Sequence, residues 1–247
     1  AQLLYKYHTS VGSYERACAL DDLRYIMHGG GQISYCTTSN SLEAVEESYR
    51  SGHRIIEIDF SWTLDNELAC IHQWGGAYPQ KCMLADFLQS RIDGWLTPMS
   101  LDTLASWMRA HPDVRVVPDV KERNAAALQL ISSRYPDLTD RFLPYLYHTR
   151  EYDQVAAMGY KNMLLILYKM DAQERRNPAQ LTAFAREKNL VGIAVDPNQD
   201  GAVYGPAKSA GIPVLPYVVD NAQLMYDLSR QGADGFFTDR QNLTIEF

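Results

Sequence analysis

Short apolar runs alternate with amphipathic stretches from one end of the chain to the other. Eight of these runs are compact and rich in Ile, Val, Leu or aromatic residues. Most are continuous rather than alternating, as strands buried on both faces should be. They are Leu23–His28, Arg54–Phe60, Val114–Val120, Phe142–Tyr147, Met163–Leu167, Val191–Val195, Pro213–Val218 and Gly235–Thr238. Between them the spacing predicts helices. Ser41–Ser51 carries Leu42, Val45 and Tyr49 on one face, with Asn40 as its N-cap. Leu101–Ala110 follows Ser100 as cap, and Pro178 suits the first turn of Pro178–Lys188. Ala125–Arg134, Glu151–Met158 and Ala222–Arg230 complete the set.

Eight strands with intervening helices in 247 residues predict an α/β fold: a single (β/α)8 barrel domain over residues 1–247. A doubly wound open sheet would show the same alternation. The barrel is favoured by the polar residues. His28, Asp59, Asp119 and Asp239 each fall at or near the C-terminal end of a predicted strand, where barrel active sites form. Gly29-Gly30-Gly31 lacks the spacing of a dinucleotide fingerprint. The longest interruption, Trp74 to Thr97, reads as an enlarged loop after the second strand, lying over the barrel mouth.

Composition narrows the chemistry. The formal net charge is −7, and no block of Lys and Arg exists to collect phosphate backbones, so nucleic acid is excluded as a general partner. A bound cation would still let an acidic protein take a single phosphate. No apolar run approaches the roughly 20 residues of a transmembrane helix. The chain starts at Ala1 without an initiator Met or signal peptide. A processed periplasmic or secreted protein would start so, and a trimmed cytoplasmic chain would look the same. The four cysteines match no metal-ligand spacing, and Cys70 reads as an inert core thiol.

Two histidines, each at the end of an apolar run, bracket a Glu-x-Asp pair. They are His28 and His72, and the pair is Glu57 and Asp59. Side chains two apart on a strand share a face. Two carboxylates converging there are costly unless a positive charge lies between them. A hard divalent cation, Mg²⁺ or Ca²⁺, fills that need with oxygen ligands, and the imidazoles would move protons beside it. Asp119 supplies a third carboxylate, with Lys121 on its face; Glu122 has the opposite parity. Trp74 and Tyr217 are the aromatic candidates for substrate contact. His53, His111 and His148 read as surface or helix-end residues with no carboxylate set around them.

From about Leu23 to the C-terminus, the sequence resembles the glycerophosphodiester phosphodiesterase family, within the wider phosphatidylinositol-phospholipase-C-like barrels. The places of that family's motifs are taken by His28-Gly29-Gly30, Ser39-Asn40-Ser41, Glu57-Ile58-Asp59, Thr63-Leu64-Asp65-Asn66, His72-Gln73 and Asp119-Val120-Lys121. The closing match is Gly232-Ala233-Asp234-Gly235-Phe236-Phe237-Thr238-Asp239. Gly29 stands where the family has an arginine, Gln73 where it has an aspartate, and Tyr217 where it has a tryptophan. The resemblance implies a metal-dependent phosphodiester hydrolase. His28 and His72 would serve as acid and base, Glu57, Asp59 and Asp119 as metal ligands, and Lys121 as a phosphate contact. It also implies a substrate hydroxyl as first attacker, a cyclic phosphodiester, and an exchange of histidine roles for its hydrolysis. The missing arginine predicts weak turnover of simple glycerophosphodiesters and preference for a bulkier diester held by the Trp74–Thr97 loop.

Three other readings compete. A phospholipase C- or D-like enzyme on a lipid or sugar-phosphate diester would use the same residues. A non-catalytic sugar- or phosphate-binding barrel would tolerate loss of His28. An amidohydrolase-type metal site needs a His-x-His on its first strand, and His28 is followed by glycines.

Overall fold

Parity along one strand sets the plan of the molecule. Every residue of β2 (Ile55–Trp62) is buried. Ile56, Ile58 and Phe60 join an apolar cluster with residues of the surrounding helices, while Ile55 joins a second, inner cluster. Glu57 and Asp59 share the parity of Ile55 and so face inward. Ile56, Ile58 and Phe60 are fully buried, worth about 1.5–3 kcal/mol each. That burial offsets the cost of holding two carboxylates on the other face.

The computed structural model describes residues 23–243 and residue 245; Cys18 and the rest of the expected domain's first 22 residues lie outside them. β1 (Tyr25–Met27) pairs with β2 and with β9 (Phe236–Thr238), and β2 also pairs with β4 (Arg115–Val120), all in parallel. β5 (Tyr145–Leu146), β6 (Leu164–Ile166), β7 (Gly192–Val195) and β8 (Val214–Pro216) form a second parallel sheet. Strand pairing therefore gives two sheets rather than the single closed ring expected of the barrel. Backbone hydrogen bonds cross both seams. Leu143 N–H donates to Val116 O, and Val219 N–H to Phe237 O, each at 2.8 Å. The inner cluster holds Ile26, Ile55, Val117, Tyr145, Leu164, Ala194, Leu215 and Phe237, so each of the eight parallel strands supplies a residue to it.

All eight expected strands form, with shifted ends. A ninth, β3 (Leu68–Cys70), pairs antiparallel with β2 through a Thr63–Glu67 turn. Its three residues are too few to show a period. Nine helices are described: α1 (Leu42–Arg50), α2 (Leu84–Gln89), α3 (Leu101–Ala110), α4 (Asn124–Arg134), α5 (Tyr152–Ala157), α6 (Ala172–Arg175), α7 (Pro178–Glu187), α8 (Tyr204–Ala210) and α9 (Ala222–Gln231). Ser100 caps α3 as expected, its Oγ accepting from Thr103 N at 3.1 Å. The cap of α1 is Ser41, not Asn40: Ser41 Oγ accepts from Ala44 N at 3.3 Å. Asn40 has another task, given below. The long loop after β3 contains α2 and packs Trp74, Tyr78 and Phe87 over Ala69 and Ile71. No helix among the described residues is long and apolar enough to cross a membrane.

Candidate active site

β1 ends at Met27 and the chain turns at once through a short 3-10 turn, His28–Gly30. Gly29 adopts φ +54°, and a Cβ there would lie 2.4 Å from the Thr38 Cα. Only glycine fits this close approach. The turn aims the Gly29 N–H at Glu57 Oε2, 2.6 Å away. It also sets His28 Nδ1 2.8 Å from Asp239 Oδ1, just beyond β9. Burial works against a charged ring, yet the Asp239 hydrogen bond and the charges of Glu57 and Asp59 outweigh it. The His28 pKa is pushed up to about 9.

Asp59 is the hub. Parallel register puts it beside Asp119 on β4. Asn40 Nδ2 donates to Asp59 Oδ2 at 2.9 Å, and Asn40 Oδ1 accepts the Asp59 backbone N–H at 2.9 Å. His72 Nδ1 lies 3.3 Å from Asp59 Oδ1, and the Lys121 ammonium contacts the same oxygen. Burial alone would raise the Asp59 pKa, but His72 and Lys121 hold it well below the usual carboxylate range. Lys121 Nζ also donates to Asp119 Oδ2 at 2.6 Å. Burial opposes its charge, and Asp59, Asp119 and Glu57 reverse that, lifting its pKa above the ordinary lysine value. Tyr147 and Tyr168 hydroxyls both donate to Asp119 Oδ1, at 2.6 and 3.1 Å.

Glu57, Asp59 and Asp119 offer carboxylate oxygens within 4.8 Å of one another. Glu57 Oε1 is buried and has no hydrogen-bond partner. Burial and the adjacent Asp59 push the Glu57 pKa up to about 8. A buried oxygen without a donor, in a set of converging hard oxygens, fits a divalent cation of the Mg²⁺ or Ca²⁺ type.

The structure thus brings His28, Glu57, Asp59, His72, Asp119 and Lys121 together. Glu122 points away, to Lys81 at 3.4 Å. Tyr217 stands edge-on to Tyr168 with ring centroids 6.2 Å apart. Trp74 is committed elsewhere: its Nε1–H donates to Trp62 O at 2.8 Å and its ring meets Phe87 edge-on. It pins the long loop to the β2–β3 hairpin. Tyr78, from the same loop, stacks on the His72 ring at 5.8 Å.

His148 corrects the expectation of a histidine without carboxylates. Glu174 and Asp171 lie 3.3 and 3.6 Å from its Nδ1, from a segment more than twenty residues away that no local pattern connects. Asn40, Tyr168 and Lys169 are not picked out by the sequence as site residues, and Tyr147 stands there only as one of several aromatics at the barrel mouth, ranked below Trp74 and Tyr217. Tyr147 carried one signal, its place at the end of a predicted strand; the Asn40 pattern read equally as a helix cap.

No protein-family model matches the chain, and no curated protein sequence does. Solved structures do share its fold. A glycerophosphoryl diester phosphodiesterase from Parabacteroides distasonis is 13% identical with a TM-score of 0.70, covering 92% of this chain and 88% of that one. A Thermotoga maritima glycerophosphodiester phosphodiesterase gives 13% and 0.62, covering 90% and 96%. An Oleispira antarctica phosphodiesterase, solved in complex with the product sn-glycerol-3-phosphate, gives 16% and 0.67, covering 89% and 94%. The chain has the fold of the glycerophosphodiester phosphodiesterases.

Proposed function

We propose that the chain is a metal-dependent phosphodiester hydrolase on a (β/α)8 barrel, acting on a small or lipid-derived phosphodiester. The observation that carries this reading is the pairing of each histidine with an aspartate at the rim of one three-carboxylate cluster. Fold likeness to glycerophosphodiester phosphodiesterases, and to a phosphodiesterase solved with the product sn-glycerol-3-phosphate, supports the substrate class.

Glu57, Asp59 and Asp119 would hold one Mg²⁺ or Ca²⁺, which when bound supplies positive charge against the charge that builds on the phosphoryl oxygens. The chain's own residues do the rest. Lys121, fixed by Asp59 and Asp119, gives a second positive contact to the phosphate. His28 and His72 each turn Nδ1 toward a carboxylate, which leaves Nε2 as the working nitrogen and stabilises the ring once it is charged. One takes the proton of the attacking hydroxyl and the other protonates the leaving oxygen. If a substrate hydroxyl attacks first, the two exchange roles when water opens the cyclic diester.

The test compares wild type with His28→Ala and His72→Ala on a panel of glycerophosphodiesters with Mg²⁺ or Ca²⁺. Each variant should lose about 10²–10⁴-fold in kcat while still unfolding in one cooperative transition. Turnover unchanged by both substitutions would remove the histidines from the chemistry.

A further inference from the structure

Lys169 lies in the turn after β6, and its half-buried side chain reaches back across the site to the end of β4. Nζ donates to Val120 O at 3.2 Å and to Lys121 O at 3.3 Å. It lies 4.2 Å from the Tyr147 ring centroid and 5.1 Å from that of Tyr168. Those are the tyrosines whose hydroxyls hold Asp119. Aromatic faces beside a catalytic centre are where a quaternary ammonium would be recognised. Here that slot is filled by an ammonium of the chain itself.

Lys121, its neighbour, is neutralised by direct contact with Asp59 and Asp119. The ammonium of Lys169 meets two backbone carbonyls, which take two of its three N–H donors. Burial lowers its pKa, and Asp119, Glu151 and Asp59 attract its charge from a distance. The ammonium also acts on whatever lies beside Asp119 and Tyr168, the latter exposed at 38%.

Resting on the phosphodiesterase reading above, we infer that Lys169 is a specificity-determining residue. It occupies the aromatic slot a cationic head group would need, and selects diesters whose leaving alcohol carries a second anionic group. Choline-type diesters meet like charge at that place; a leaving glycerol that bears its own phosphate meets a free N–H and an opposite charge.

The experiment measures kcat/KM for glycerophosphocholine, for glycerophosphoglycerol, and for the glycerophosphate dimer whose second glycerol is phosphorylated. Wild type should prefer the dimer to the choline diester by about tenfold or more, the effect of one charge at short range in partly screened surroundings. Lys169→Gln should shrink that ratio by about tenfold, and Lys169→Arg, which keeps the charge, should preserve it. A structural role alone would slow all three substrates together and leave the ratio unmoved. A wild type that prefers the choline diester, or a ratio unchanged in Lys169→Gln, overturns the inference. If none of the three is cleaved, these glycerophosphodiesters are not substrates, and calorimetric binding of the same three compounds decides on Lys169. Tighter binding of the dimer, lost in Lys169→Gln, supports the charge selection; equal binding of all three overturns it.

Discussion

Asn40 holds Asp59 from two directions, accepting its backbone N–H and donating to its Oδ2, both at 2.9 Å. Both residues are fully buried, so neither bond has water as a substitute. Asn40 stands in the left-handed region at φ +52°, a conformation asparagine tolerates better than most residues. Asn40→Ala should cost about 2–4 kcal/mol, because it strands a buried N–H and a carboxylate oxygen. Divalent-metal affinity should fall by about 10–100-fold. Urea unfolding and calorimetric Mg²⁺ titration check the two effects separately.

Asp239 does for His28 what no residue adjacent in sequence does. Replacing it by asparagine removes the negative charge at Nδ1 while burial still opposes the charged ring, so the His28 pKa should fall from about 9. The corresponding limb of the pH–rate profile should move to lower pH, with a loss of about tenfold or more in kcat. A profile unchanged in Asp239→Asn would show that the pair has no part in turnover.

Glu57 and His28 both bind their protons more tightly in the folded, metal-free chain than in an unfolded one. Each therefore contributes stability that is complete below its unfolded pKa and is lost as pH rises through the folded value. The windows run from 4.5 to about 8 for Glu57 and from 6.5 to about 9 for His28. Asp59 has the opposite sign, and its contribution is lost only as pH falls below its ordinary value of 3.8. In EDTA the Tm should therefore decline between pH 4.5 and about 9, and saturating Mg²⁺ or Ca²⁺ should flatten the part below about 8 by taking the place of the Glu57 proton. Scanning calorimetry across this range reads it directly; a metal-free Tm that rises with pH would contradict the assignment.

Gly29 is bound by its backbone rather than by chance of sequence. With φ +54° and Thr38 against its missing Cβ, Gly29→Ala should cost about 1–3 kcal/mol. Gly29→Arg should not act as a gain of phosphate affinity, because the turn that directs its N–H to Glu57 would have to open first. Denaturant midpoints, with phosphate binding by calorimetry, distinguish a lost turn from a gained ligand.

Parity and position carried most of the site. Glu57 with Asp59, and Asp119 with Lys121, were legible because a strand's period of two leaves no choice of face, and His28 was legible because it ends an apolar run. Asn40 was misread because a buried asparagine before a helix has the same local pattern as an N-cap; only the fold shows Ser41 capping and Asn40 turned to Asp59. β3 escaped because three residues show no period, and its pairing with β2 is fixed by a turn. The carboxylates around His148 and the reach of Lys169 to β4 both join loops from different strands, and that proximity exists only once the strands are side by side. Trp74 had an aromatic's ambiguity: a ring in a long loop serves equally to touch a ligand or to pack the loop down, and its indole N–H is spent on Trp62 O.

On this reading a divalent cation held by Glu57, Asp59 and Asp119 works with His28 and His72 on a phosphodiester. The most direct test is the hydrolysis rate of a glycerophosphodiester panel by the purified protein in excess EDTA, before and after Mg²⁺ or Ca²⁺ is restored. Turnover should be absent with chelator and recover on adding metal. Full activity in excess EDTA, or no cleavage of any diester with either metal present, would contradict that reading.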